Sequence, residues 1–227
     1  MPITAKDKVV IITGGAGEIG SALARRLVDE GAKVVLADVK DGSSLERDLK
    51  SCGEARFIQT DVGSEEQTRR LADETEKAYG RIDVLINNAG LFTACPWDQL
   101  TYDEWTTRMR VNVDGTFLAT KAVVPAMRRQ GQGKIINIGS DTVWMGTPGF
   151  AHYVASKGAV MAFTRAIANE LGRDGITSVY VTPTLLDTPG TRSAFPRATS
   201  TTSSATPRSA NSKNRTTSPV SSSTCAP

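Results

Sequence analysis

The feature that most constrains the fold is a strict alternation of short β-branched apolar runs with amphipathic helical patterns. Strand-like runs stand at Val9–Thr13, residues 34–37, residues 55–60, Val84–Asn87, residues 134–139 and residues 177–182. Between them the apolar spacing changes from a period of two to one near 3.6. Residues 21–30 read as a helix stopped by Gly31, and Ser43 with Glu46 as the capping box of a short helix. Ser64 with Gln67 opens a helix that runs to Gly80. Thr101 with Glu104 caps a longer one carrying Trp105, Met109, Val113, Phe117 and Thr120. A last helix spans about 152–171 and ends at Gly172. Strands separated by helices imply parallel pairing, because each connection must cross back over the sheet. The expected fold is an α/β, Rossmann-type doubly wound parallel sheet with helices on both faces.

Charge separates this body from the end of the chain. Of the 27 basic residues, five lie beyond Asp187, the last acid: Arg192, Arg197, Arg208, Lys213 and Arg215. They exceed the whole chain's surplus of +3, so the body is slightly acidic and offers no basic face for nucleic acid. The terminal bases are sparse and lack interleaved aromatics, which also counts against a nucleic-acid partner. No apolar run is long enough for a membrane span, and residues 1–8 hold no secretory apolar core. The cysteines, Cys52, Cys95 and Cys225, have no metal-ligand spacing and read as free thiols in a reducing cytoplasm. No metal site is expected.

Two constellations carry chemistry. The first strand runs into Thr13-Gly14-Gly15-Ala16-Gly17-Glu18-Ile19-Gly20 and then a helix. Such a turn lets backbone approach a pyrophosphate, and the helix N-terminus presents N–H groups to the anion. The second strand is followed by Asp38, about twenty residues on, where a carboxylate accepts from ribose hydroxyls and repels a 2′-phosphate. That combination predicts NAD rather than NADP. The second constellation is Ser140, Tyr153 and Lys157. Tyr153 and Lys157, four apart on a helix, share one face. An ammonium near a phenol favours the phenolate, so Tyr153 becomes a candidate acid/base, with Ser140 holding the substrate oxygen. His152, the only histidine, reads as structural.

Taken together, the turn 13–20, Asp61-Val62, Asn87-Asn88-Ala89-Gly90, Asn112, Ser140 and Tyr153-Val154-Ala155-Ser156-Lys157 resemble the short-chain dehydrogenase/reductase family over roughly residues 5–195. The resemblance implies a catalytic tetrad of Asn112, Ser140, Tyr153 and Lys157. It also implies that Gly14, Gly17, Glu18, Ile19, Gly20, Asp38, Asp61, Val62, Asn88, Ala89, Gly90, Tyr153, Lys157, Pro183 and Thr188 hold the dinucleotide, with Asp61 and Val62 beside adenine. In that family the lysine binds the nicotinamide ribose and the asparagine kinks its helix to support a relay water. The stretch 97–144 is similar to secondary-alcohol dehydrogenases, such as those acting on phenylethanol. Ser140, Trp144, Tyr153 and Leu185 are then substrate-pocket candidates, with Phe92, Trp97, Met145 and Leu186 as further apolar walls. The expected activity is hydride transfer between NAD(H) and a small hydrophobic secondary alcohol or ketone. The alternatives are a 3-oxoacyl-thioester reductase, against which Asp38 weighs, and a dinucleotide-binding protein with little turnover.

The sequence departs from the family in four places. Glu18 stands where the middle glycine of the turn is usual, and its side chain is expected to face solvent. Val179 replaces a common asparagine, and Pro183-Thr184 a common Pro-Gly. The fourth departure is the end. A catalytic domain over 1–197 gives way to a Ser/Thr-rich tail, 198–227, which is expected to be disordered. The change is abrupt, as a reading-frame shift in a GC-rich gene would make it, so the tail is expected to encode no function. The family's C-terminal strand and the helix that packs in its dimer interface are missing by this reading. A homo-oligomer, implied by the family, is thereby placed in doubt.

Overall fold

The structure is a computed structural model that describes residues 5–184. The tail and its boundary, together with Leu185, Leu186 and Thr188, lie outside the described residues. Six strands form one parallel sheet in the order β3-β2-β1-β4-β5-β6. They are β1 (Val9–Thr13), β2 (Lys33–Asp38), β3 (Glu54–Gln59), β4 (Val84–Asn87), β5 (Gly133–Ile138) and β6 (Ile176–Val181). The chain builds outward from β1 to β3, then returns so that β4 pairs the other side of β1. This reversal opens a crevice at the carboxyl ends of β1 and β4, where open α/β sheets bind ligands. The expected doubly wound sheet is therefore present.

Both faces of the sheet are covered. Alternate residues of β1 point opposite ways: Val10 and Ile12 pack with Ala24 and Val28 of α1 (Glu18–Asp29) and Leu49 of α2 (Ser43–Lys50). Ile11 joins the other face, where Leu71 of α3 (Glu65–Tyr79) meets Val123 and Met127 of α5 (Gly115–Gln130). Leu171, at the end of α7 (Ala151–Leu171), belongs to the same cluster. Full burial of a leucine or methionine contributes about 1.5–3 kcal/mol, so these two clusters are the main adhesive. β6 is an edge of the described sheet, and its Val179 and Val181 are 41% and 44% exposed.

Local signals set the element ends, with three corrections. Ser64 caps α3 through its hydroxyl, which accepts from Gln67 N, and Gly80 ends the helix at φ 73°. The Thr101–Glu104 capping box on α4 (Tyr102–Met109) is fully formed. The Ser43–Glu46 box is not. Gly42 occupies the cap, and the Ser43 hydroxyl instead donates to Asp41 Oδ1 at 2.6 Å. The nearer carboxylate outcompetes the helix N–H. Helix α1 starts at Glu18, three residues before the expected position, because Gly17 takes the extended cap conformation at φ −77°, ψ 174°. The long helix after Thr101 is not continuous: a π-helical segment, Arg110–Asp114, separates α4 from α5. The extra residue in that turn rotates the apolar stripe, so that Phe117 is 45% exposed while Thr120 is buried.

Candidate active site

The glycine turn is tied to the loop after β4 by one side chain on each side. Thr13 Oγ1 accepts from Asn88 N and Ala89 N, both at 3.1 Å. Asn88 Nδ2 donates back to Thr13 O and Gly14 O at 3.0 and 3.1 Å. Gly14 sits at φ 63°, and a Cβ there would press on Ala89. A Cβ on Gly20 would collide with Gly14 O, so the first turn of α1 can close on the loop only with glycine at that position. Glu18 is the first helical residue and is exposed, as expected of its side chain. A carboxylate is favourable at a helix start, which explains its tolerance there.

Asp38 ends β2 beside this turn and is 8% exposed. Its Oδ2 accepts from Ala16 N and its Oδ1 from Lys40 N, each at 3.0 Å. The carboxylate thus braces the glycine turn, besides any bond its remaining lone pairs make to a ligand. Farther along the same edge, a cavity of about 490 Å³ is lined by Val39, Gln59, Asp61, Glu66, Gln67 and Arg70. Asp61 is oriented by Arg110, whose Nη1 donates to Oδ2 at 3.1 Å. Val62 is 6% exposed, against Gly115.

The four tetrad candidates converge from three elements. Asn112 lies in the π-helical segment and is 1% exposed. Its Oδ1 accepts from Leu91 N at 2.8 Å, and its Nδ2 donates to Ser156 Oγ at 2.9 Å. Its side chain is therefore spent on fastening the loop after Gly90 to α7, a positioning role. A Cβ on Gly90 would lie 3.4 Å from Asn112 Oδ1 and 3.7 Å from Lys157 Nζ, so glycine opens the space between them. Ser140 follows β5, and its Oγ accepts from Thr142 Oγ1 at 2.8 Å. Thr142 opens the short helix α6 (Thr142–Met145), which carries no recognisable periodicity in four residues.

Lys157 is 5% exposed and donates to Ile138 O at 2.6 Å. Burial pushes its ammonium down to about 8. Its Nζ lies 5.7 Å from the Tyr153 ring centroid. Burial pushes the Tyr153 phenol up, and the Ser140 hydroxyl pulls it down by less. The net shift is upward, opposite to the ammonium-lowered phenol expected from spacing. Tyr153 therefore rests as a neutral phenol.

The apolar surroundings differ from those expected. Phe92 meets the Tyr153 ring edge-on, with centroids 4.9 Å apart, and stacks on Phe150 at 5.0 Å. Trp144, Met145 and Trp97 are 64%, 69% and 75% exposed, so they belong to the outer rim rather than to a closed wall. Trp144 and Met145 stand on α6, which is only one turn long. Pro183, just past β6, is half-buried, and Leu185 and Thr188 fall outside the described residues.

Two features escaped the sequence. Arg108, one turn before Asn112, is 6% exposed and lies 3.1 Å from His152 Nε2, while its Nε and Nη1 have no hydrogen-bond partner. His152 is fully buried. Burial and then Arg108 push its imidazole below the usual range, so it accepts from the guanidinium as a neutral ring. The other is Tyr180, whose hydroxyl lies between Ser140 and Lys157.

A doubly wound sheet, a braced glycine turn at its crevice and a Ser-Tyr-Lys cluster across it are the arrangement of a dinucleotide-dependent oxidoreductase. The family profile described as short chain dehydrogenase matches residues 8–198, and the chain belongs to that family. Cyclopentanol dehydrogenase of Comamonas testosteroni is 37% identical over 189 residues, covering 82% of this chain and 76% of the relative. The BbsD subunit of a hydroxy(phenyl)methylsuccinyl-CoA dehydrogenase from Thauera aromatica is 36% identical over 187 residues, 81% of this chain and 75% of the relative. The crystal structure of NAD+-bound xylitol dehydrogenase superposes with a TM-score of 0.76 at 34% identity, covering 79% of this chain and 71% of that one.

Proposed function

We propose that this short-chain dehydrogenase/reductase transfers a hydride between NAD(H) and a small hydrophobic secondary alcohol or ketone, with Tyr153 as acid/base. The observation that carries the reading is the convergence of Ser140, Tyr153 and Lys157 beside a turn in which a Cβ on Gly20 has no room. The cofactor would supply or accept the hydride. The chain's residues do the rest. The first turn of α1 and the loop 88–90 would hold the pyrophosphate and its neighbours, and Asp38 the adenosine ribose. Ser140 Oγ would hold the substrate oxygen. Tyr153 would give its proton to that oxygen in reduction and take it back in oxidation. Lys157 would place positive charge near the phenol as the proton leaves.

The preference for NAD over NADP rests on Asp38, which is 8% exposed and would face a 2′-phosphate with its charge unscreened. The alcohol class rests on the apolar ring cluster of Phe92, Phe150 and Tyr153 and on relatives named for cyclopentanol and a phenyl-bearing alcohol. A thioester-linked substrate is the second reading, favoured by the second of those relatives. A reducing cytoplasm belongs to the reading through the free thiols of Cys52 and Cys95. Among the described residues no helix is long and apolar enough to cross a membrane.

The test is a nicotinamide-absorbance screen of purified protein with NAD and NADP against cyclic, aryl and thioester-linked secondary alcohols. Tyr153→Phe is expected to lower turnover by about 10²–10⁴ while cofactor affinity stays within about twofold. Activity of the variant within about threefold of the parent refutes the acid/base assignment.

A further inference from the structure

Tyr180 stands in β6 opposite Asn137 of β5. Along β6, Ile176, Ser178 and Tyr180 turn to one face, while Thr177, Val179 and Val181 are the exposed residues of the other. The Tyr180 ring reaches past the end of β5 and lies over Gly139, where any Cβ would overlap it. Its hydroxyl accepts from Ser140 N at 3.2 Å and donates to Lys157 O at 3.1 Å. One oxygen therefore joins the backbone of two tetrad candidates that sit on different elements.

We propose that Tyr180 is a positioning residue for the reaction, its hydroxyl clamping the Ser140 backbone to the turn of α7 that carries Lys157 and Tyr153. The inference rests on the reading of Ser140, Tyr153 and Lys157 as one site. Ser140 follows the last residue of β5 by two and has left the strand ladder, so its direction is not fixed by sheet pairing. Lys157 Nζ also donates to Ile138 O, and Asn137 Nδ2 of β5 to Thr164 Oγ1 of α7, but neither of these bonds reaches Ser140. With Tyr180 in place, both the donor and the acceptor of the phenol are used on main chain. Its proton is committed to a carbonyl, so it is not a second acid for substrate. Burial raises the phenol's pKa, which keeps that donated proton in place through the neutral range. Gly139 is the matching half of the device, since only glycine leaves room for the ring.

Rate falls steeply when a reacting group is displaced by even an ångström. Tyr180→Phe keeps the ring over Gly139 and removes the clamp alone. Its kcat is expected to fall about tenfold with the KM values for cofactor and substrate within about twofold. In a Ser140→Ala background the same change should cause no further fall in kcat, because the oriented hydroxyl is already gone. A structural weakening would instead multiply the two losses. Gly139→Ala, which pushes the ring aside, should match Tyr180→Phe and add nothing to it. Hydrogen–deuterium exchange provides a readout free of turnover: the Ser140 amide should exchange at least about tenfold faster in Tyr180→Phe. A kcat within twofold of the parent, a multiplied loss in the Ser140→Ala background, or unchanged exchange at Ser140 overturns the proposal. Failure of the oxidoreductase reading looks different. There Tyr153→Phe would stay as active as the parent, or the parent would turn over nothing, and exchange at Ser140 would still decide whether the clamp exists.

Discussion

Replacing Lys157 by methionine tests the energetics of the site most sharply, because activity and stability should move in opposite directions. Lys157 is 5% exposed, and burial brings its ammonium from 10.5 to about 8. At about 1.4 kcal/mol per tenfold change in proton affinity, the charged lysine costs the folded state about 3 kcal/mol. Below pH 8 the lysine is protonated in both folded and unfolded chains, and the whole cost is present. Between 8 and 10.5 the folded lysine is neutral while the unfolded one still holds its proton, so stability rises with pH. Above 10.5 the cost is gone. Methionine fills much the same length without charge, but it orphans Ile138 O, which accepts from Nζ at 2.6 Å. That loss is worth about 1 kcal/mol. Lys157→Met should therefore be about 2 kcal/mol more stable than the parent at pH 7, and slightly less stable at pH 10.5. Denaturant melts of both proteins without cofactor at the two pH values make the measurement. Turnover should be abolished. No gain at pH 7, or an equal gain at both pH values, refutes the view that the site holds a buried charge at the expense of the fold.

Asp38→Asn should narrow the ratio of NADP to NAD dissociation constants, read by calorimetric titration. At about 5 Å and an effective dielectric between 20 and 80, each pair of charges amounts to about 1–3 kcal/mol, or roughly 5- to 150-fold. An unchanged ratio counts against electrostatic exclusion. Because Asp38 also holds Ala16 N at 3.0 Å, affinity for NAD itself should fall somewhat in the same variant. Glu18→Gly removes a carboxylate from the first turn of α1, the helix proposed to hold the pyrophosphate. NAD affinity should rise about two- to fivefold at low salt, with the gain fading at high salt. A gain that ignores salt would point to backbone geometry instead.

The local code of this chain was largely readable. The alternation of strand and helix periods, the Ser64 cap, the Thr101–Glu104 box and Gly80 at the end of α3 all act within one or two turns, and the structure repeats them. The order and spacing of Gly14, Asn88, Asn112, Ser140, Tyr153 and Lys157 likewise pointed to one site. At Ser43 local reasoning failed because a competing partner stood nearby: Asp41 drew its hydroxyl from the helix cap. What only the tertiary structure decided depends on partners distant in sequence. Asp38 bracing Ala16 across 22 residues, Arg108 against His152 across 44, and Tyr180 reaching Ser140 across 40 leave no periodic trace. The protonation states follow the same rule. Spacing places Lys157 one turn from Tyr153, but desolvation by the assembled layers sets their charges. Periodicity records which face of an element is apolar; burial and long-range hydrogen bonds exist only once the faces have met.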